Sequence, residues 1–409
     1  MLKKWLQISF LNLAIVALLG VVMRYKILYA LPFVDQKNFL HAHSHFAFSG
    51  WVTLALMSLL ISRLGNGDND KAVFRKYRPV LIANLLTAYG MLFSFPFEGY
   101  GLVSIIFSTL SIFVSYWFAI QYWRDLNRLP EKRVSSLWFK AAVVFNAVSS
   151  AGAFTLAGIM ATRSSHTELY LASVYFFLHF QYNGWFFFAC MGLLTDELQR
   201  YNVKKEQLTS IYRLFVYACV PAYALSVLWV KLPVWLYTLV IVAVVLQVAG
   251  WILTVKQIRK LLKQGLPPVE RFPRILLALC GLAFSIKLIL QSASVVPSLS
   301  HLAFGFRPIV IGYLHLVLLG VISLFIISYS IAVKLIHISK LLRAGVITAT
   351  AGILLNEIFL MIQGVSDISY LPIPSMNFFL LIAAVILFLG FLTVFCSQVV
   401  RQKDDPLIS

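Results

Sequence analysis

Three histidines recur about 135 residues apart in this chain of 409 residues, each at the start of a similar motif. Residues 45–51 and 179–185 both read His-Phe-x-(Phe/Tyr)-x-Gly-Trp, and a looser copy begins at residue 315. A glycine stands five residues after each histidine. The imidazole of histidine is a common ligand of copper, zinc and iron, and histidine is rare inside apolar helices. The repeat therefore predicts metal ligation by His45, His179 and His315.

Two further histidines precede the first copy of the motif. His41 and His45 are four residues apart, so on a helix they share one face, whereas His43 points roughly the opposite way. The spacing predicts His41 as an auxiliary ligand that chelates one metal together with His45, or as a solvated residue near the membrane surface. For His43 we expect a structural role or a contact with a neighbouring helix.

The elements that carry these histidines are membrane helices. Hydrophobic residues make up 60% of the chain and charged residues only 12%, where a soluble domain has about 25%. Because about 20 apolar residues span a bilayer, the sequence predicts an all-α polytopic membrane protein with twelve transmembrane helices. They are expected near residues 5–31, 38–62, 79–97, 102–123, 136–162, 168–195, 210–230, 232–255, 274–297, 308–333, 342–364 and 376–399.

The net charge of +19 is explained by its placement. Most lysines and arginines lie at the two ends of the chain and in alternate loops, such as 63–78, 124–140 and 256–274. This pattern follows the positive-inside rule and predicts that both termini are cytoplasmic. We therefore expect a multi-pass protein of a bacterial inner membrane, in contact with lipid and not with nucleic acid.

The motif spacing covers four predicted spans, so the twelve spans form three pseudo-symmetric groups of four within one membrane domain, 1–409. The pseudo-repeats cover about 1–135, 136–272 and 273–409, with the motif in spans 2, 6 and 10. The three histidines then lie at similar depth. The motif glycines are interpreted as helix-packing positions, because small residues let helices approach closely; they are Gly50, Gly184 and Gly320.

Five charged side chains lie inside or at the ends of the predicted spans, towards the outer surface. Such residues are costly in a membrane and often functional. The cations are interpreted either as snorkelling residues or as partners for the acidic groups of a cofactor. A buried lysine and glutamate also fit an ion pair or a proton path. The five residues are Arg24, Lys26, Lys287, Glu357 and Arg307.

Twelve spans in three groups of four, with histidines in spans 2, 6 and 10, resemble subunit I of the haem–copper oxidase and nitric oxide reductase superfamily. The arrangement is also similar to the NnrS-type haem- and copper-binding membrane proteins. The resemblance implies haem b, copper or both as cofactors. It implies His45 or His41 as an axial ligand of a low-spin haem, paired with His315, and His179 as a ligand of a second metal.

The sequence also departs from that superfamily. Its pattern has a histidine pair in span 7, which is absent from 210–230, and a second histidine two residues from the one in span 10, where this chain has Tyr313 and Val317. The departures argue against a binuclear centre that reduces oxygen to water. The implied role is electron transfer or the handling of nitric oxide or oxygen, with oxidoreductase character if haem is bound.

Three other roles fit the same residues and remain open. Four histidines around one copper or zinc ion would make the protein a metal sensor or carrier. Twelve spans with a buried lysine and glutamate also suit a proton-coupled secondary transporter. The third alternative is an accessory membrane subunit that works with a respiratory electron donor or another membrane subunit.

Overall fold

The computed structural model describes residues 1–65, 71–162, 166–265, 269–299 and 305–403. Helix dominates this part of the chain, and it contains no β-strand. The all-α fold expected from composition and hydropathy is thus confirmed. Apolar helices of this length satisfy their own backbone hydrogen bonds, which is what a lipid environment requires.

The helices are labelled α1 to α12 in chain order. The first six are α1 Leu2–Leu28, α2 Gln36–Ser62, α3 Lys71–Glu98, α4 Leu102–Arg128, α5 Val134–Ala161 and α6, which runs from Thr167–His179 through Phe180–Phe186 to Phe187–Arg200. The others are α7 Lys205–Cys219 with a 3₁₀ continuation Pro221–Val227, α8 Val234–Lys263, α9 Arg271–Ala293, α10 Arg307–Ala332, α11 Lys340–Ile368 and α12 Met376–Lys403.

Ten of these helices are long and apolar enough to cross a membrane, by length and composition, within the described ranges. The two parts of α7, bent by 44° at their junction, make an eleventh if they form one span. Pro221 stands at this break, where its missing N–H prevents the α-helix from continuing. Helix α6 is absent from the ten; its motif places His179, Gln181 and Asn183 in the middle of the helix.

The chain divides into two compact units, and each is described by itself. The first unit comprises Met1–Phe118 and Arg307–Ser409, and the second comprises Ala119–Phe306. In the first unit, α1 packs on α2 and α12, α2 packs on α3, and α11 packs on both α10 and α12. In the second unit, α5 packs on α6 and α7, and α8 packs on α7 and α9.

All three motif copies contain a π-helical stretch directly after or close to the motif histidine. The stretches are Ala47–Thr53, Phe180–Phe186 and Leu316–Ser323, within α2, α6 and α10. π-helical segments are rare and occur frequently at functional sites. The sequence repeat is therefore also a repeat of local backbone geometry, which sequence reasoning did not anticipate.

Asparagine side chains satisfy carbonyl groups in the first π-helical stretch. Asn12 of α1 donates from Nδ2 to the Gly50 carbonyl at 2.7 Å, and Asn84 of α3 donates to the Ser49 carbonyl at 3.0 Å. The hydroxyl of Tyr89 donates in turn to Oδ1 of Asn12 at 2.8 Å. Because unpaired carbonyls are costly in an apolar interior, these asparagines stabilise the π geometry next to His45.

Replacing Asn12 with leucine is therefore expected to destabilise the first unit. The change leaves the Gly50 carbonyl and the Tyr89 hydroxyl without this partner, at a cost of about 1–3 kcal/mol. A lower midpoint of thermal unfolding in detergent would show it. The matched control is Asn127→Leu at an exposed asparagine whose side chain accepts from Lys140; equal effects from both changes would contradict the assignment.

Candidate functional site

Helix α2 presents its histidines on two opposite faces, as their spacing predicts. His41 and His45 face Phe95 in the last turn of α3 and Tyr100 just after this helix. The rings of His45 and Phe95 are stacked with centroids 4.5 Å apart, and the rings of His41 and Tyr100 are edge-on with centroids 4.6 Å apart. Nε2 of His45 lies 3.4 Å from the Tyr100 hydroxyl. Nε2 of His41 is buried and has no hydrogen-bond partner among the described atoms.

His43 faces α1, which confirms the expected contact with a neighbouring helix. Its Nδ1 lies 3.0 Å from the carbonyl of Val16, and its ring packs near Gly20. A carbonyl can only accept, so Nδ1 carries the proton and donates. The tautomer is thereby fixed, and Nε2 keeps its lone pair.

His315 has the same arrangement on α10. Its Nδ1 lies 2.8 Å from the carbonyl of Ile311, one turn earlier, so Nε2 again keeps its lone pair. His43 and His315 are close enough for their charges to interact. Histidines that bind metals in proteins usually donate their other ring N–H to a carbonyl or carboxylate. The two imidazoles lie within electrostatic range of each other, and each keeps a ring nitrogen of the kind that ligates metal.

The first and third motif copies also touch directly. Nε1 of Trp51, the last residue of the first copy, donates to Oγ of Ser323 at 2.9 Å, at the end of the third π-helical stretch. Both side chains are buried. This bond joins the π-helical stretches of α2 and α10 in the interior of the first unit.

One arginine lies within electrostatic range of this histidine pair, and a second lies within range of the first. Arg24 of α1 is an electrostatic neighbour of both His315 and Arg307, the latter at the start of α10. No ion pair joins either arginine to a carboxylate among the residues that the structure describes. Two guanidinium groups near each other, without a carboxylate partner, favour the binding of an anionic ligand.

The other two charged residues predicted in this unit have local partners. Lys26 donates from Nζ to the carbonyl of Leu31 at 2.8 Å. Glu357 on α11 is half-buried, and its Oε1 accepts from the side chain of its neighbour Asn356 at 3.2 Å. Neither contact involves a histidine.

His179 belongs to the second unit and is 1% exposed. Nε2 lies 2.9 Å from the carbonyl of Cys219, so this nitrogen donates, and Nδ1 lies 3.2 Å from the side-chain nitrogen of Asn183. Both ring nitrogens are therefore engaged by protein groups. Ligation by His179 would require Asn183 to release Nδ1.

The motif glycines lie in tight places. A Cβ on Gly184 would stand 2.6 Å from Phe145 of α5, and a Cβ on Gly50 would stand 2.7 Å from the ring of Phe46. Gly320 is buried within the third π-helical stretch. At Gly184 the missing side chain permits the approach of a neighbouring helix, whereas at Gly50 it makes room for a ring one turn earlier.

Sequence reasoning missed the chemical value of His43, which it assigned only to packing. A signal was nevertheless present: a histidine that faces another helix in an apolar interior needs a hydrogen-bond partner, and a backbone carbonyl in that place fixes its tautomer. The described ranges contain no cluster of three or more histidine, cysteine or acidic side chains placed to hold a metal ion. A haem iron needs only one or two ligands from the protein, because the porphyrin supplies the other four.

No protein-family model matches the chain, and no curated protein matches it. The function is therefore inferred from the geometry of the site.

Proposed function

We propose that this chain is a multi-pass protein of a bacterial inner membrane that binds haem b, which His43 and His315 would hold through their free ring nitrogens. The proposal rests on the matching hydrogen bonds of the two imidazoles, which lie within electrostatic range of each other. Each donates Nδ1–H to a backbone carbonyl and keeps Nε2 free. His43 takes the place that the resemblance gave to His45, whose ring stacks instead on Phe95.

The surroundings of the pair suit haem. Arg24 and Arg307 are available to hold propionate groups, which are the only charges on the porphyrin edge. Helices α1, α2 and α10 supply the apolar walls. A haem held by two imidazoles would supply one-electron transfer, so the proposed role is electron transfer, within respiratory chemistry linked to nitric oxide or oxygen. A respiratory electron donor or a partner membrane subunit completes that role.

The proposed topology has twelve spans in three groups of four, with both termini in the cytoplasm. Helix α6 would then cross the membrane although its centre is polar, and α7 would cross as a bent helix. The basic loops favour this orientation.

A second candidate is a copper site at His41 and His45. The observation that favours it is Nε2 of His41, which is buried without a hydrogen-bond partner among the described atoms while the His45 ring lies one turn away on the same face. Copper ions accept imidazole ligands readily. A protein with copper there and no haem would be a metal carrier or sensor.

The test is a visible spectrum of the protein purified in mild detergent, oxidised and dithionite-reduced, with metal analysis on the same sample. We expect a Soret band, sharp α-bands on reduction and about one iron per chain. Copper without a Soret band would support the second candidate. A colourless, metal-free protein that remains folded would exclude both, and would favour the secondary transporter, for which the bent helix α7 is a suitable element.

A further inference from the structure

A small cavity lies inside the second unit, with a mostly apolar lining that includes a few polar side chains. Its volume is about 10 Å³, which is room for one water-sized guest. The polar side chains of the lining are Asn183, Cys219, Gln247 and Lys287, and phenylalanine side chains including Phe284 form the rest. A guest that accepts hydrogen bonds would match the N–H groups among them.

Lys287 is the dominant charge at this cavity. It is 3% exposed, and its ammonium lies 5.6 Å from the centre of the Phe284 ring. Its Nζ donates to Oε1 of Gln291 at 2.5 Å, which uses one of three N–H groups. Within the described ranges, no carboxylate forms an ion pair with it. A buried ammonium without an acid partner lacks a counterion.

The hydrogen bonds around the cavity leave donors in excess. Oε1 of Gln247 accepts from Nε2 of Gln291 at 2.6 Å, so the amide NH₂ of Gln247 remains a donor at the cavity wall. The carbonyl of Cys219 already accepts from His179, and the carbonyl of Asn183 accepts from the Cys219 thiol. Each of these carbonyls thus accepts one hydrogen bond, and Oδ1 of Asn183 remains an acceptor, whereas two N–H groups of Lys287 and the amide NH₂ of Gln247 remain as donors.

We infer that this cavity binds one small monovalent anion of halide size, held by the Lys287 ammonium and the Gln247 amide. The charge of the ammonium supplies the attraction, and the small volume excludes larger anions. The second motif copy contributes indirectly, because His179 donates to the Cys219 carbonyl and accepts from the side chain of Asn183 at the cavity wall. The site is independent of haem.

The test measures the midpoint of thermal unfolding in detergent while chloride replaces gluconate at fixed ionic strength. Gluconate is too large for the cavity. A ligand that binds only the folded state raises the midpoint in a saturable way, so we expect a rise of a few degrees in the wild-type protein. A midpoint that does not respond to chloride would overturn the inference.

The informative variant is Lys287→Met, which is expected to lose the chloride response. Lys140→Met is its matched control, because Lys140 also donates to an amide oxygen, at 2.6 Å from Asn127, and lies over an aromatic ring, Trp123, but is not buried. Retention of the response in Lys287→Met would contradict the site.

A direct measurement covers the case in which Lys287→Met does not fold. Wild-type crystals grown in bromide are expected to give an anomalous peak within hydrogen-bond distance of Nζ of Lys287. A map with bromide peaks elsewhere and none beside Lys287 would overturn the inference without any variant.

Discussion

Alanine in place of His43 or His315 is expected to remove the Soret band of the purified protein. Each change deletes a ring whose tautomer is fixed by a backbone carbonyl, and with it one of the two side chains that would hold the haem. Loss of even an outer-shell partner weakens metal binding by about 10–100-fold, so loss of the ligand itself should reduce haem content at least that far. Haem per chain, measured as a pyridine haemochrome, reads the effect directly.

The controls separate the two possible ligand pairs. His45→Ala should retain the band if His43 is the ligand, because His45 stacks on Phe95 and approaches the Tyr100 hydroxyl. His337→Ala changes an exposed histidine outside the helices and should change nothing. A band that persists in His43→Ala and disappears in His45→Ala would reject the pair of His43 and His315 and restore the one that the resemblance implies.

A loss of colour could also follow from misfolding, and a cavity variant distinguishes the two causes. His43→Gly leaves a space of imidazole size beside Val16 and Gly20 on α1. Free imidazole added to this variant should restore the Soret band if His43 is a ligand. A folded variant that binds no haem with or without imidazole would instead assign His43 to packing.

The fold class was predictable from the sequence because hydropathy and length decide it. Eleven of the predicted twelve spans correspond to the ten long apolar helices and the bent α7. The sixth predicted span, α6, is not among the ten apolar helices because the polar side chains of its motif, His179, Gln181 and Asn183, lower its hydropathy. The break in α7 was predictable from Pro221, because proline cannot continue an α-helix.

The candidate site was predictable only in part. Periodicity identified three helices that matter, and each proved to contain a π-helical stretch at the motif. Which ring nitrogens are free was not predictable, because that depends on partners distant in sequence, such as Val16 for His43 and Cys219 for His179. The equivalent motif histidines His45, His179 and His315 therefore have different hydrogen-bond partners.

A single methyl group added at Gly390 is expected to destabilise the first unit strongly. Helices α11 and α12 approach backbone to backbone: a Cβ on Gly390 would stand 2.4 Å from the backbone nitrogen of Ala349. A Cβ added at Gly345 or Gly352 on α11 would likewise stand 2.8 Å from a backbone nitrogen of α12. Small residues at such interfaces permit close packing between membrane helices, and backbone atoms cannot rotate aside as a side chain can.

Gly390→Ala should therefore force α11 and α12 apart, at a cost of about 3 kcal/mol, the upper end for overpacking. The matched control is Gly158→Ala on α5, where nothing lies within 4 Å of the added Cβ; there alanine should be neutral or stabilising by about 0.5–1 kcal/mol, since it favours helix more than glycine does. Thermal unfolding in detergent compares the two variants. If Gly390→Ala unfolds at the wild-type midpoint, the two helices pack less closely than their glycines indicate.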